Sequence, residues 1–187
     1  MPCIQYAFGL FEEEKLIGVI TYGQPASPAL CRGIGGVENK ANVLELNRLV
    51  ILPEYNGQNY ASFLISKSLK LLPPRKYIVS YADIGGWGHV GYVYQATNFY
   101  FTGMTKPRTD KYGGENGHSR HYSKDETRRQ IRTAKYRYVK IIGTKKDKKE
   151  LLKMLKYPII EQYPKGNNIK YNTNVPIPVN ENLGKVI

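Results

Sequence analysis

At 187 residues with a formal net charge of +13, the chain is long enough for one domain with a buried core and too short for two. No apolar run approaches the roughly 18–20 residues that cross a bilayer, and the amino terminus lacks a basic-then-apolar signal, so a soluble cytoplasmic protein with no membrane partner is expected. The cysteines, Cys3 and Cys31, lie far apart without paired spacing, which speaks against a disulfide framework or zinc knuckle and predicts buried free thiols.

The chain opens as a hairpin, with strand-like segments from Ile4 to Phe11 and from Leu16 to Tyr22 joined by the polar Glu12-Glu13-Glu14-Lys15. A Pro/Gly-rich loop is expected from Gly23 to Gly36, and VLELNRLVIL (43–52) reads as a third strand. Alternation would put Glu45 and Asn47 on one side of it and Leu44, Leu46 and Arg48 on the other. Pro53 stops that strand, and Asn56-Gly57-Gln58-Asn59 turns into a helix from Tyr60 to Leu72, with Ala61, Ile65, Leu69 and Leu72 at helical spacing. The amino end of such a helix offers free N–H groups and a partial positive charge, which suit a phosphate.

A short run of β-branched and aromatic residues, Tyr77 to Tyr81, predicts a buried strand that ends at Asp83 and a glycine-rich turn. At the end of a strand in an open α/β sheet, Asp83 either meets a ligand in the crevice or merely caps the next helix. His89, Tyr92, Tyr94, Gln95 and Asn98 crowd the following stretch, where a helix is expected from Val90 to Asn98 and a strand from Phe99 to Gly103. Residues 105–130 lack periodicity and read as a basic loop or lid; a strand (136–142), a lysine-rich helix (147–155) and an extended tail from 166 complete the reading. The divisions are then a core at 1–104, the loop at 105–130, a final strand and helix at 131–165, and the tail at 166–187.

Between Lys106 and Lys165 lie 18 of the 28 lysines and arginines against 7 acidic residues, interleaved with tyrosines. Cations attract polyanions, and aromatic rings among them suit stacking on an exposed base, so nucleic acid is the expected partner; a solvated surface is the plainer alternative. His89 with Asp83, or His118 with His121, supply ligand types for an iron site, a reading that ranks lower because phosphate contact or solvent exposure is the commoner role of histidines in such a loop.

The order hairpin, strand, NGQNYASFL turn and helix, strand VSYAD, helix GYVYQATNF, strand resembles the GNAT superfamily of N-acetyltransferases. More narrowly, LELNRLVI, NGQNYASFL, VSYAD and GHVGYVYQATNFYFTG resemble the Mom DNA-modification proteins of phages, over roughly residues 16–103. That resemblance implies an α/β (α+β) fold, with a mixed central sheet of the acyl-CoA N-acyltransferase kind flanked by helices and a basic carboxy-terminal extension. It also implies an enzyme that converts the exocyclic amine of adenine in double-stranded DNA to a carbamoylmethyl derivative and so protects phage DNA from restriction in the bacterial host.

Position by position, the resemblance puts activity at Arg48, Ser62, Asp83 and Tyr94, and acetyl-CoA or a related acyl-CoA at Val50, Asn56, Gly57, Asn59 and Ser62. Asp83 would accept a proton or hydrogen bond from the amine and Tyr94 would act as general acid; Arg48 pairing with a strand acid, Ser62 bonding its own backbone and Tyr94 as plain core are the duller readings. A flipped adenine and its duplex would meet Tyr22, Trp87, His89, Arg120, Arg128, Arg129 and Arg132. Two departures stand out: the chain begins at what looks like the second strand of the acetyltransferase fold, and Asn56-Gly57-Gln58-Asn59-Tyr60-Ala61 keeps only fragments of the usual pyrophosphate loop. A CoA-dependent N-acetyltransferase acting on a protein or small amine, and a non-catalytic nucleic-acid-binding protein, are the rival functions.

Overall fold

A computed structural model of the chain describes residues 3–84, 89–112 and 129–166. Strands β1 (Cys3–Glu12) and β2 (Lys15–Gln24) form the expected hairpin, pairing to Glu12 and Lys15 with Glu13 turning through a positive φ of 53°. Helix α1 (Pro28–Gly35) occupies the stretch read as a loop. Ser27 caps it by accepting from the Ala29 N–H, and Pro28 sits where a missing N–H costs nothing, two start signals that outweigh the glycines around them.

Strand β3 (Val43–Ile51), helix α2 (Tyr60–Leu71), strand β4 (Lys76–Asp83), helix α3 (Tyr92–Ala96) and strand β5 (Tyr100–Met104) follow. Strands β6 (Arg108–Lys111) and β7 (Arg129–Arg132) lie at the ends of the segment expected to be a loop, and β8 (Lys135–Ile142) and α4 (Lys145–Met154) close the series.

Six strands make one mixed sheet in the order β1-β2-β3-β4-β8-β5, in which only β3 and β4 run parallel. One face packs on α2 and α3: Ile20, Tyr22, Leu44, Leu46, Ile78, Ala82 and Tyr138 meet Leu64, Ile65, Leu69 and Tyr94. The other packs on α1 and α4, where Val43, Tyr77, Val79, Val139 and Ile141 meet Cys31, Ile34 and Leu151. The mixed sheet flanked by helices is as the sequence predicts. Cys31 is buried but Cys3 is exposed on the edge strand, and along α4 Leu151 is buried whereas Leu152 is 39% exposed.

Helix α4 is fixed at both levels of structure. Thr144 and Asp147 exchange hydrogen bonds in a capping box, and Arg75 reaches Asp147 at 3.0 Å and Glu150 at 2.8 Å. From the sheet side, the buried Tyr77 hydroxyl donates to the Leu151 carbonyl at 2.6 Å.

Beyond α4 the chain returns over β5, where the Ile160 N–H donates to the Phe101 carbonyl at 2.9 Å and the Tyr163 hydroxyl to Phe99 O at 2.8 Å. Among the described residues, no helix is long and apolar enough to cross a membrane.

Candidate active site

The parallel ladder between β3 and β4 is short: Val43 pairs with Tyr77, Leu44 with Ile78 and Glu45 with Val79. Past that point β3 stays with β2 as far as Ile51, and β4 stays with β8 as far as Asp83. Two strands held by different neighbours therefore part, and the main-chain groups facing the gap have no ladder partner among the described residues.

A β-bulge lies on the β3 side of this gap. Tyr22 pairs with Leu46 and Thr21 with Arg48, so Asn47 is the extra residue and the side-chain alternation reverses after it. Arg48 consequently falls on the opposite side from Leu46, a correction to simple alternation along the strand. Buried at the bulge, and without a hydrogen-bond partner among the described residues, are Thr21 Oγ1 and Asn47 Oδ1.

Four charged groups gather around the gap on the α1/α4 face. Glu45 is half-buried, and desolvation raises its pKa, opposed by the Ala26 N–H and by the Lys135 and Arg48 charges. Lys135 also pairs with Asp83 at 3.0 Å, and Thr133 donates a short hydrogen bond to the same carboxylate. Arg48 is exposed and bonds the Asn47 carbonyl at 3.1 Å. Nearby, the buried Arg137 guanidinium lies 3.3 Å from the centre of the Tyr157 ring and bonds Thr102; desolvation lowers its pKa.

On the other face stands Tyr94, buried against Phe99 and Tyr138 at ring separations of 5.6 and 5.4 Å. Burial raises the pKa of its phenol, the Ser80 hydrogen bond opposes that rise, and the Glu45 charge adds to it across the gap. Asp83 has the strand parity of Tyr77 and Val79, so it lies on the α1/α4 face while Tyr94 lies on the α2/α3 face. The acid and phenol expected to work as neighbours are thus on opposite sides of the sheet, and the gap is what connects their surroundings. Glu45 was not among the sequence candidates; the available signal was an acid at an alternate position of an otherwise apolar strand.

The remaining candidates divide. Helix α2 begins at the end of β3 with Asn59 in the left-handed region at φ 63° and no side-chain cap. Gly57 has φ 87° and open space where a side chain would be, and no acid lies in the first turn, so the helix amino end is open to an anion. Asn56 is exposed and Val50 is 55% exposed beyond the bulge. The Ser62 hydroxyl donates back to the Asn59 carbonyl at 2.9 Å, satisfying its own turn.

Tyr22 is a correction: it is fully buried and shares a 2.7 Å hydrogen bond with the Ser68 hydroxyl, so it is a core group and not a DNA contact. His89 is exposed, and partial desolvation lowers its pKa against the pull of Asp83. Arg129 is exposed, and Arg132 bonds Asp110 at 3.0 Å. Trp87, His118, Arg120, His121 and Arg128 lie outside the described residues. Among the described residues, no three His, Cys, Asp or Glu side chains are grouped to hold a metal ion.

This architecture defines a mixed α/β protein whose polar groups collect where the parallel β3–β4 pair opens. The chain belongs to the Mom protein family, whose sequence profile matches residues 1–165. It is 25% identical over 174 residues to the methylcarbamoylase mom of Escherichia phage Mu, an alignment covering 84% of this chain and 70% of that protein.

Solved structures with similar folds include the GphF GNAT-like decarboxylase in complex with isobutyryl-CoA, with a TM-score of 0.44 and 13% identity over 72% of this chain and 77% of that one. An N-acetyltransferase from Staphylococcus aureus Mu50 gives a TM-score of 0.40 and 18% identity over 70% of this chain and 65% of that one.

Proposed function

We propose that the protein is a DNA-modification transferase that places a carbamoylmethyl group on the exocyclic amine of adenine. Membership of the Mom family and the name of the phage Mu relative support the modification class. The observation that carries the chemistry is the parting of β3 and β4 after Glu45 and Val79, with a desolvated acid on one side and a buried phenol on the other.

The amine of adenine is a weak nucleophile because its lone pair is delocalised into the ring, so a proton must leave as the new bond forms. Glu45 suits that task because desolvation moves its pKa towards neutrality. Asp83 is committed to Thr133 and Lys135, which makes it the group that holds Lys135 beside Glu45. Tyr94 keeps its proton at neutral pH because burial raises its pKa, and Ser80 orients the hydroxyl for donation to a leaving atom in the gap.

An acyl-CoA fits the open elements: unpaired strand edges would accept an extended amide chain, and the uncapped amino end of α2 at Gly57 and Asn59 would accept its pyrophosphate. Its thioester would activate a two-carbon unit and release CoA thiol on acyl transfer, while the carboxamide nitrogen and the N–CH2 bond of a carbamoylmethyl group would need a separate nitrogen donor and a two-electron oxidant. Arg48, exposed beside the gap, would hold a phosphate or carbonyl.

The test is expression in a bacterium followed by digestion of total DNA to nucleosides and mass spectrometry. A heavier deoxyadenosine is expected. An unaltered nucleoside profile from soluble, folded protein would remove DNA modification and return the reading to an N-acetyltransferase or a binding protein.

A further inference from the structure

Strands β6 and β7 form a two-stranded antiparallel ribbon that is no part of the six-stranded sheet. Arg108 pairs with Arg132, Thr109 with Ile131, Asp110 with Gln130 and Lys111 with Arg129, so four cations share eight positions with one acid. An isolated pair of strands is barely stable in water. Here Asp110 braces it internally, meeting Arg132 at 3.0 Å and Arg108 at 3.4 Å.

The base of the ribbon is fastened to the mouth of the gap. Thr133 and Lys135, which follow β7 directly, both bond Asp83 at the end of β4. On the other strand, Thr105 N–H donates to the Lys135 carbonyl at 2.9 Å, and the Lys135 N–H donates to the Thr105 hydroxyl at 2.9 Å.

The ribbon carries the opposite of what a structural hairpin needs. Ile131 is 80% exposed, the Arg108 side chain is 73% exposed, and Thr109 and Arg129 are exposed as well. An apolar side chain held in solvent between cations suits a polyanion that also presents apolar edges, and duplex DNA is such a partner, with phosphates along its rims and thymine methyls on its floor.

We propose that the β6–β7 ribbon enters the major groove of duplex DNA and holds it against the gap between β3 and β4, an inference that rests on the DNA-modification reading. Two strands about 4.8 Å apart, with their side chains, match a groove about 12 Å wide. Lys111 and Arg129, which pair with each other and share the face of Ile131, contact the phosphates, and Ile131 meets the base edges. Asp83, through Thr133 and Lys135, sets where the groove lies relative to the reacting base.

The test measures binding of the full chain to a mixed-sequence DNA duplex by fluorescence anisotropy over a range of salt. The paired substitution Lys111→Gln and Arg129→Gln should weaken binding at every salt concentration and lower the log–log salt slope by about 2, one for each cation removed. Lys146→Gln with Lys149→Gln, an equal loss of charge on exposed α4, should leave both nearly unchanged. An A-form RNA duplex, whose major groove is too deep and narrow for a ribbon, should bind more weakly than DNA.

Hydrogen exchange of the unsubstituted protein gives a second reading: added DNA duplex should slow exchange of the amides at 108–111 and 129–132. An unchanged salt slope in the ribbon variant, an equal loss in the α4 variant, equal binding of RNA, or unprotected ribbon amides would each overturn the inference. The two readings fail separately, since a ribbon that does not touch DNA leaves a heavier deoxyadenosine in place, whereas its absence from cells making wild-type protein defeats the function itself.

Discussion

Glu45 and Val79 stand opposite each other as the last partners of the parallel β3–β4 ladder. The acid is thus held at the apex of the gap, where β3 on one side and β4 on the other limit its access to water.

The first consequence concerns stability. The folded-state pKa of Glu45 is raised, so its contribution is most favourable below the unfolded value and is lost as pH rises through the folded one. Glu45→Gln should therefore match wild type near pH 4 and become relatively more stable towards pH 7, as followed by urea unfolding at a series of pH values. A variant equally or less stable than wild type at pH 7 would show that the acid is not desolvated.

Tyr94→Phe removes the phenol but keeps a ring against Phe99 and Tyr138. Modification of deoxyadenosine should fall by about 10²-fold or more, the usual worth of a positioned acid, while the far-ultraviolet circular dichroism stays that of wild type. Full activity in this variant would assign Tyr94 to the core alone.

Gly91, which caps α3 ahead of Tyr94, has φ 80°, and an added Cβ would lie 2.6 Å from Tyr138 and 3.0 Å from Tyr94. Gly91→Ala is expected to cost about 1–3 kcal/mol and to lower modification by displacing the phenol. Chemical denaturation and nucleoside yield, measured on the same preparation, check both parts.

Tyr77→Phe tests the tie between β4 and α4. Its hydroxyl, with a pKa pushed up to about 12 by burial, stays protonated and bonded to the Leu151 carbonyl across the physiological range. Losing it should lower stability by about 1–3 kcal/mol, with no dependence on pH between 6 and 9. Modification by the folded protein should be unaffected, since Tyr77 faces α4 and not the gap.

Much of this fold was legible in the sequence because its strands and longer helices carry strong periodic patterns. The runs around Ile20, Leu44, Ile78 and Val139 became sheet core, and Ile65 with Leu69 anchored α2 as helical spacing requires. Helix α1 escaped because Gly33, Gly35 and Gly36 masked the Ser27-Pro28 start. The ribbon escaped because Arg, Thr, Asp and Lys form no hydrophobic pattern for alternation to reveal.

The site was legible only in its parts. Asp83 and Tyr94 could be located along the chain, but which face each occupies depends on strand pairing and on the packing of α3. For Arg48 the bulge at Asn47 decides, and for Glu45 the ending of a ladder decides; both are relations between strands distant in sequence.

The central claim is that adenine is modified at the gap with Glu45 as the proton acceptor. Its most direct test is the yield of modified deoxyadenosine in DNA from bacteria making wild-type or Glu45→Gln protein at matched soluble levels. A heavier deoxyadenosine with wild type that falls by about 10²–10⁴-fold with the variant is predicted. Equal yields from the two proteins would contradict it.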